Sequence, residues 1–215
     1  MGLLVSRDIQ AVIFDMDGTL LDSTSSVERC WDKLALAMGI DRDTASFQHG
    51  IPSVATIRAT LPDATEAEVL AWNRFHLRLE VEDAGSSTPI PGVFALLSAL
   101  DDAGTRWGIA TGCQRELGVA RHAAAGIPRP EVFICAEDYA KGKPEPDPFL
   151  RAAEALGVDI VRTIVVEDAP AGVAAGIAAG ALVIAVVETH EAEELSAAHY
   201  TVASLADLQT LLLGA

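Results

Sequence analysis

Ala11-Val12-Ile13-Phe14-Asp15-Met16-Asp17-Gly18-Thr19-Leu20-Leu21-Asp22 is the stretch that decides the fold of this chain. Four apolar residues make a run suited to a buried parallel strand, and it ends abruptly in two carboxylates two residues apart. In open α/β sheets, ligands and chemistry sit just beyond the carboxyl ends of the strands, where Asp15 and Asp17 fall. Gly18 then allows a sharp turn. Two acids this close repel unless one is protonated or a cation lies between them, and a hard divalent ion with oxygen ligands, Mg²⁺ first, answers that need.

Working outward, the pattern changes from strand to helix. Ser23 to Ser26 supplies caps and a flexible exit, and helices are expected over 27–38, 43–47, 54–61 and 66–82. Thr65 and Glu68 have capping-box spacing for the last of these. The helical stretch closes at Gly85-Ser86-Ser87-Thr88-Pro89-Ile90-Pro91-Gly92, a boundary signal. From Val93 onward helix and strand alternate, with strands expected at 107–110, 132–135, 164–166, 182–187 and 200–202. Such alternation predicts an α/β fold, a Rossmann-like parallel sheet with helices on both faces. The expected division is a core of residues 1–22 and 90–215 interrupted by an all-helical insertion over 23–89.

Three later strand ends each deliver a polar group. Ile109-Ala110-Thr111-Gly112 offers a hydroxyl and a glycine amide, and Lys141-Gly142-Lys143-Pro144-Glu145-Pro146-Asp147-Pro148 sets a lysine in a proline-stiffened loop. Val165-Val166-Glu167-Asp168-Ala169-Pro170-Ala171-Gly172 offers two more acids. Taken singly, Thr111 is a turn hydroxyl, Lys143 a solvated lysine, and Glu167 and Asp168 acids at a helix N-terminus. Taken jointly, in this order and strand context, with Asp-x-Asp-Gly-Thr at the front, they resemble the four motifs of the haloacid dehalogenase-like phosphotransferases across the whole core.

The resemblance implies roles. Asp15 is the nucleophile that attacks phosphorus and forms an aspartyl-phosphate, and Asp17 protonates the leaving oxygen and then activates water. Mg²⁺ would be held by Asp15, the Asp17 backbone carbonyl and Asp168, with Glu167 joining or orienting that shell. Thr111, the Gly112 amide and Lys143 would hold the phosphoryl oxygens. An acid at 17 favours phosphoryl transfer, since a departing halide needs no proton.

The helical insertion is similar to the cap of the β-phosphoglucomutase-like branch, and within it to polyol- and sugar-phosphate phosphatases. Phe47-Gln48-His49-Gly50, Ile57-Arg58-Ala59, Leu61-Pro62-Asp63 and Trp31 carry this likeness. It implies that His49 and Gly50 face the leaving group. Relatives tend to carry an arginine shortly after that glycine, whereas Ile51-Pro52-Ser53 follows here, and Arg58 is the candidate to replace it. Trp31 is expected in the helical core, and Cys113 to be incidental. The rival readings are a sugar phosphomutase and a catalytically silent phospho-ligand-binding module. Mutases of the branch carry a histidine twelve residues after the nucleophile; here that residue is Val27, which cannot transfer a proton.

Composition bounds the partners. Half of the 215 residues are apolar and 21% are charged, a globular balance. A net charge of −16 disfavours nucleic acid and anionic membranes, so a small phosphorylated metabolite bound at a local positive site is expected. Three widely spaced cysteines give neither a disulfide framework nor a zinc motif. With no apolar run of membrane length and no signal peptide, a cytoplasmic monomer is the expectation, though the first six residues loosely fit a myristoylation pattern.

Overall fold

The computed structural model describes residues 2–42 and 53–214. The elements in chain order are α1 (Leu3–Ser6), β1 (Ala11–Phe14), β2 (Leu21–Asp22), α2 (Thr24–Met38), α3 (Ser53–Thr60) and α4 (Glu66–Asp83). They continue with β3 (Thr88–Pro89), α5 (Val93–Asp102), β4 (Arg106–Ala110), α6 (Arg115–Ala124), β5 (Val132–Ile134) and α7 (Asp147–Leu156). The last are β6 (Thr163–Glu167), α8 (Pro170–Ala179), β7 (Leu182–Val186), β8 (Tyr200–Val202) and α9 (Leu205–Leu213).

Six strands form one parallel sheet in the order β5-β4-β1-β6-β7-β8. The side-chain period of two explains its two-sided core. Val12 and Phe14 point to one face, among Leu96, Leu97, Leu100 and Leu208. Ala11 and Ile13 point to the other, among Phe149, Ala152, Leu156 and Val173. Strand β1 lies at the centre, with β4 and β5 to one side and β6 onward to the other. The chain therefore reverses its winding direction at β1, which opens a crevice beyond the strand ends where ligands bind in such sheets.

The segment between β2 and β3 is helical. Trp31 and Leu34 of α2, Ile57 of α3 and Val69 of α4 form a small third core of their own. Thr65 caps α4 with the expected reciprocal bonds to Glu68. The two connections to the sheet run side by side, Leu21 opposite Pro89 and Asp22 opposite Thr88, as a two-residue antiparallel ribbon. Helix α2 begins earlier than the 27–38 expected from sequence, since residues 24–26 already belong to it. Asp22 Oδ1 accepts from the Thr24 amide at 2.8 Å, satisfying a first-turn donor, so α2 starts at Thr24. The expected helix over 43–47 lies outside the described residues. Among the described residues, no helix is long and apolar enough to cross a membrane.

Candidate functional site

The site forms where β1, β4 and β6 end together. The Asp15 amide still donates to Val166 O at 2.9 Å, so the ladder fixes the backbone of the first acid against β6. Gly18 follows at φ 85°, in the left-handed region, and a Cβ there would overlap the Asp168 carboxylate. Gly172, in the first turn of α8, is equally constrained, because a Cβ would overlap the Glu167 side chain. These two glycines let loop and helix close down on buried acids.

Asp15, Glu167 and Asp168 are 7%, 1% and 2% exposed, and an oxygen of each lies within 4.8 Å of the others. Their positive neighbour is Lys143, whose Nζ donates to Asp15 Oδ1 and, at 2.6 Å, to Glu167 Oε1. Burial works against the ammonium, but Asp15 and Glu167 hold it charged, well above the usual lysine range. Burial raises the Asp15 carboxyl well above normal, with Lys143 opposing and Glu167 and Asp168 adding to it. Burial, then Glu167, pushes Asp168 up to about 7. Thr19 donates to Asp168 Oδ1 at 3.0 Å, and Thr189 donates to Oδ2, which fixes the rotamer.

Three buried carboxylates against one lysine cannot all ionise without further positive charge, and their oxygen donors suit a hard divalent cation. The residues present therefore fit Mg²⁺ chemically. Glu167 fits such an ion less directly. Its Oε1 accepts from Lys143, and its Oε2 accepts from the amides of Asp168 and Ala169, each at 3.0 Å. It is placed to orient Lys143 and the loop.

Asp17 turns away from this cluster. Its Oδ1 accepts from Ser23 Oγ at 2.6 Å and from Arg121 Nη1 at 2.9 Å, and its Oδ2 from Cys113 Sγ at 3.1 Å. Arg121 is 3% exposed and also reaches Glu80 of α4 at 2.9 Å, so one guanidinium joins Asp17 to the helical unit. Burial disfavours its charge, yet Asp17, Cys113 and Glu80 hold it above the usual arginine range. Cys113 is thus not incidental. Burial and then Asp17 push its thiol well up, so it serves as a donor rather than a nucleophile.

Beyond β4, Thr111 is 1% exposed and its Oγ1 accepts from the Cys113 amide at 3.1 Å. Tyr139 donates its hydroxyl to the Thr111 carbonyl at 3.1 Å. The Lys143 loop is pinned by the Lys141 amide on Asp147 Oδ2 at 3.1 Å.

One cavity of about 520 Å³ joins these groups. It brings Asp15, Asp17, Thr111, Gly112, Lys143, Glu167 and Asp168 together, as the sequence suggested. Its other wall comes from the helical unit and includes Val27, Trp31, Asn73, His76 and Glu80. His49 and Gly50 lie outside the described residues. Arg58 does not join the site; exposed on α3, it pairs with Glu66 at 2.6 Å.

Arg121, Ser23, Thr189, His76 and Glu80 were missed from sequence. Two of the signals were available. Arg121 sits in the stripe Leu117-Gly118-Arg121 that α6 buries, and His76 in the stripe Val69-Asn73-His76 that α4 buries. A polar residue in a buried helical stripe demands a partner or a ligand. Nothing local marked Ser23 or Thr189.

Comparison with known proteins gives concordant matches. Residues 9–180 match the family model of haloacid dehalogenase-like hydrolases. Hexitol phosphatase A of Escherichia coli is 42% identical over 175 residues, covering 81% of each chain. Glycerol-1-phosphate phosphohydrolase 2 of Saccharomyces cerevisiae is 30% identical over 205 residues, covering 89% of this chain and 80% of its own. Among solved structures, a β-phosphoglucomutase from Clostridium difficile superposes with a TM-score of 0.82 at 25% identity, covering 93% of both chains.

Proposed function

Because the chain belongs to the haloacid dehalogenase-like hydrolases, we propose that it is a Mg²⁺-dependent phosphatase of sugar or polyol phosphates working through an aspartyl-phosphate on Asp15. The enzyme is a phosphoric monoester hydrolase, with relatives named for hexitol phosphate and glycerol 1-phosphate. The observation that carries the finer reading is that buried Asp15 and Asp168, with half-buried Lys143 beside them, open into the same cavity as Asp17.

In this reading Asp15 attacks phosphorus in line while the ester oxygen departs toward the helical unit. Lys143, the Thr111 hydroxyl and the Gly112 amide face the phosphoryl oxygens, where negative charge grows. Asp17 gives its proton to the leaving alkoxide, so the alcohol departs neutral. Water then attacks the acyl phosphate, Asp17 takes its proton, and Asp15 returns as carboxylate. Mg²⁺, held by Asp15, Asp168 and the Asp17 carbonyl, would neutralise phosphate charge that otherwise repels the attacking carboxylate. Glu167 keeps Lys143 and the Asp168 loop in place.

Residues 23–89 act as a cap over a core of 1–22 and 90–215, hinged at the Leu21–Asp22/Thr88–Pro89 ribbon. Hydrolysis rather than phosphomutase chemistry is supported by Val27, an apolar residue lining the cavity.

The test is hydrolysis of p-nitrophenyl phosphate and a panel of hexitol, glycerol and 2-deoxyhexose phosphates, with Mg²⁺ and with EDTA. Turnover that requires Mg²⁺ and disappears in Asp15→Asn is the expected result. Activity of Asp15→Asn above a few per cent of wild type, with deamidation excluded by mass spectrometry, would remove Asp15 from its role. A wild type inert toward every monoester would leave only the silent binding module.

A further inference from the structure

His76 is 2% exposed, lies on the cavity wall, and has no hydrogen-bond partner at either ring nitrogen. Its Nδ1 comes within 3.3 Å of Glu80 Oε2, but without hydrogen-bond geometry, so proximity does not satisfy it. A polar side chain this deeply buried and this unsatisfied is costly unless something else completes it. The ring is also held in place: it packs at a tilt against Trp31 of α2, with centroids 4.3 Å apart and planes at 40°. Burial, and secondarily the Arg121 charge, push its pKa down to about 4, so at neutral pH it presents one N–H donor and one bare nitrogen acceptor. That pair matches a hydroxyl, which both donates and accepts.

The surrounding charges narrow the ligand. One turn before His76, Asn73 lines the cavity, with its Oδ1 accepting from Ser53 Oγ at 2.6 Å. One turn after it, Glu80 presents a carboxylate. Among the described residues, the lysine and arginine on the cavity wall are Lys143 and Arg121. Lys143 is engaged by Asp15 and Glu167, and Arg121 by Asp17 and Glu80. The α4 wall therefore offers hydrogen bonds without a cation to spare, beside a carboxylate that repels anions.

We infer that the α4 wall, with His76 as its contacting residue, selects phosphomonoesters whose leaving group is an uncharged polyol, reading leaving-group hydroxyls and rejecting a second anionic group. This rests on the phosphatase reading above and names its substrate class. His76 is then a specificity residue, and Trp31 positions it.

The test compares kcat/KM of the full-length enzyme with Mg²⁺ on sorbitol 6-phosphate, gluconate 6-phosphate and p-nitrophenyl phosphate. His76→Phe keeps a ring against Trp31 but removes both nitrogens. It is expected to lose at least about tenfold more on sorbitol 6-phosphate than on the aryl phosphate, and His76→Gln, which keeps a donor and an acceptor, to recover part of that difference. Wild type is expected to prefer sorbitol 6-phosphate over gluconate 6-phosphate, the same carbon chain ending in a carboxylate, by at least about tenfold. The gluconate arm needs no variant and so is independent of whether His76→Phe folds. Equal losses on the sugar-derived and aryl substrates, or equal wild-type turnover of the two hexose-derived substrates, overturn the inference. Neither result touches the phosphatase reading, which fails if wild type is inert toward every phosphomonoester tried.

Discussion

At the scale of single residues, His76 ties the site to stability as well as to recognition. Its ring takes up a proton near the ordinary 6.5 when unfolded, but only near about 4 in the fold. Between those values the unfolded chain binds more protons, so the contribution of His76 is complete above about 6.5 and is lost as pH falls toward 4. Two charged groups face the ring: Glu80 from its own helix, whose carboxyl burial raises, and Arg121 from α6. Both persist in His76→Phe, so comparison with wild type isolates the imidazole. Between pH 7 and pH 5, wild type is expected to lose about 2 kcal/mol more unfolding free energy than His76→Phe, measured by urea denaturation. Identical pH slopes would mean that the ring takes up its proton as readily in the fold as in the unfolded chain, so that burial does not hold it neutral.

Helices α4 and α6 are joined through Arg121, which holds Glu80 on one side and Asp17 on the other. Its removal leaves two partly buried carboxylates without their shared cation, although Asp17 keeps Ser23 and Cys113 as donors, and breaking a buried ion pair on one side costs about 3–5 kcal/mol. Arg121→Met is therefore expected to destabilise by about 3 kcal/mol or more, and to lower kcat on aryl and polyol phosphates alike, because both pass through the hydrolysis of the acyl phosphate in which Asp17 takes the proton of water. Denaturant unfolding and kcat on the two substrate types check this. A variant as stable as wild type, or one that changes only substrate ranking, would show that the bridge is not what orients Asp17.

Elements also show what could be read from sequence. The sheet strands were legible because each is a run of apolar residues bounded by turn residues, and the acids, Thr111 and Lys143 because strand ends mark the site of chemistry. The helix start slipped at α2, where Asp22 captures the Thr24 amide. Helix α1 and the β2–β3 ribbon have too few residues for any period to register. Arg121, Cys113 and Ser23 all meet at Asp17, and Arg121 lies 104 residues from it in the chain, so its buried stripe could show that it needs a partner but not which one. Local pattern carries no information about a contact that only tertiary structure creates.

At the scale of the whole molecule, a rigid parallel sheet presents the acids and Lys143, and a helical unit with its own small core presents the wall of Trp31, Asn73 and His76. In the proposed reading, the cavity between them sets phosphate chemistry against one surface and recognition against the other. A net charge of −16 makes the molecule unfavourable to phosphorylated ligands at long range, so selection must occur by contact in that cavity. Every proposed role on the sheet side converges on a covalent phosphoryl group at one oxygen. The most direct measurement quenches the Mg²⁺-supplemented enzyme during turnover of a polyol phosphate and reduces it with borohydride, which converts an aspartyl-phosphate to homoserine. The quenched chain is then mapped by peptide mass spectrometry. Homoserine at position 15, absent without substrate, is the expected result. Continued turnover with Asp15 unmodified under every quench condition, or phosphate trapped on another side chain, would contradict it.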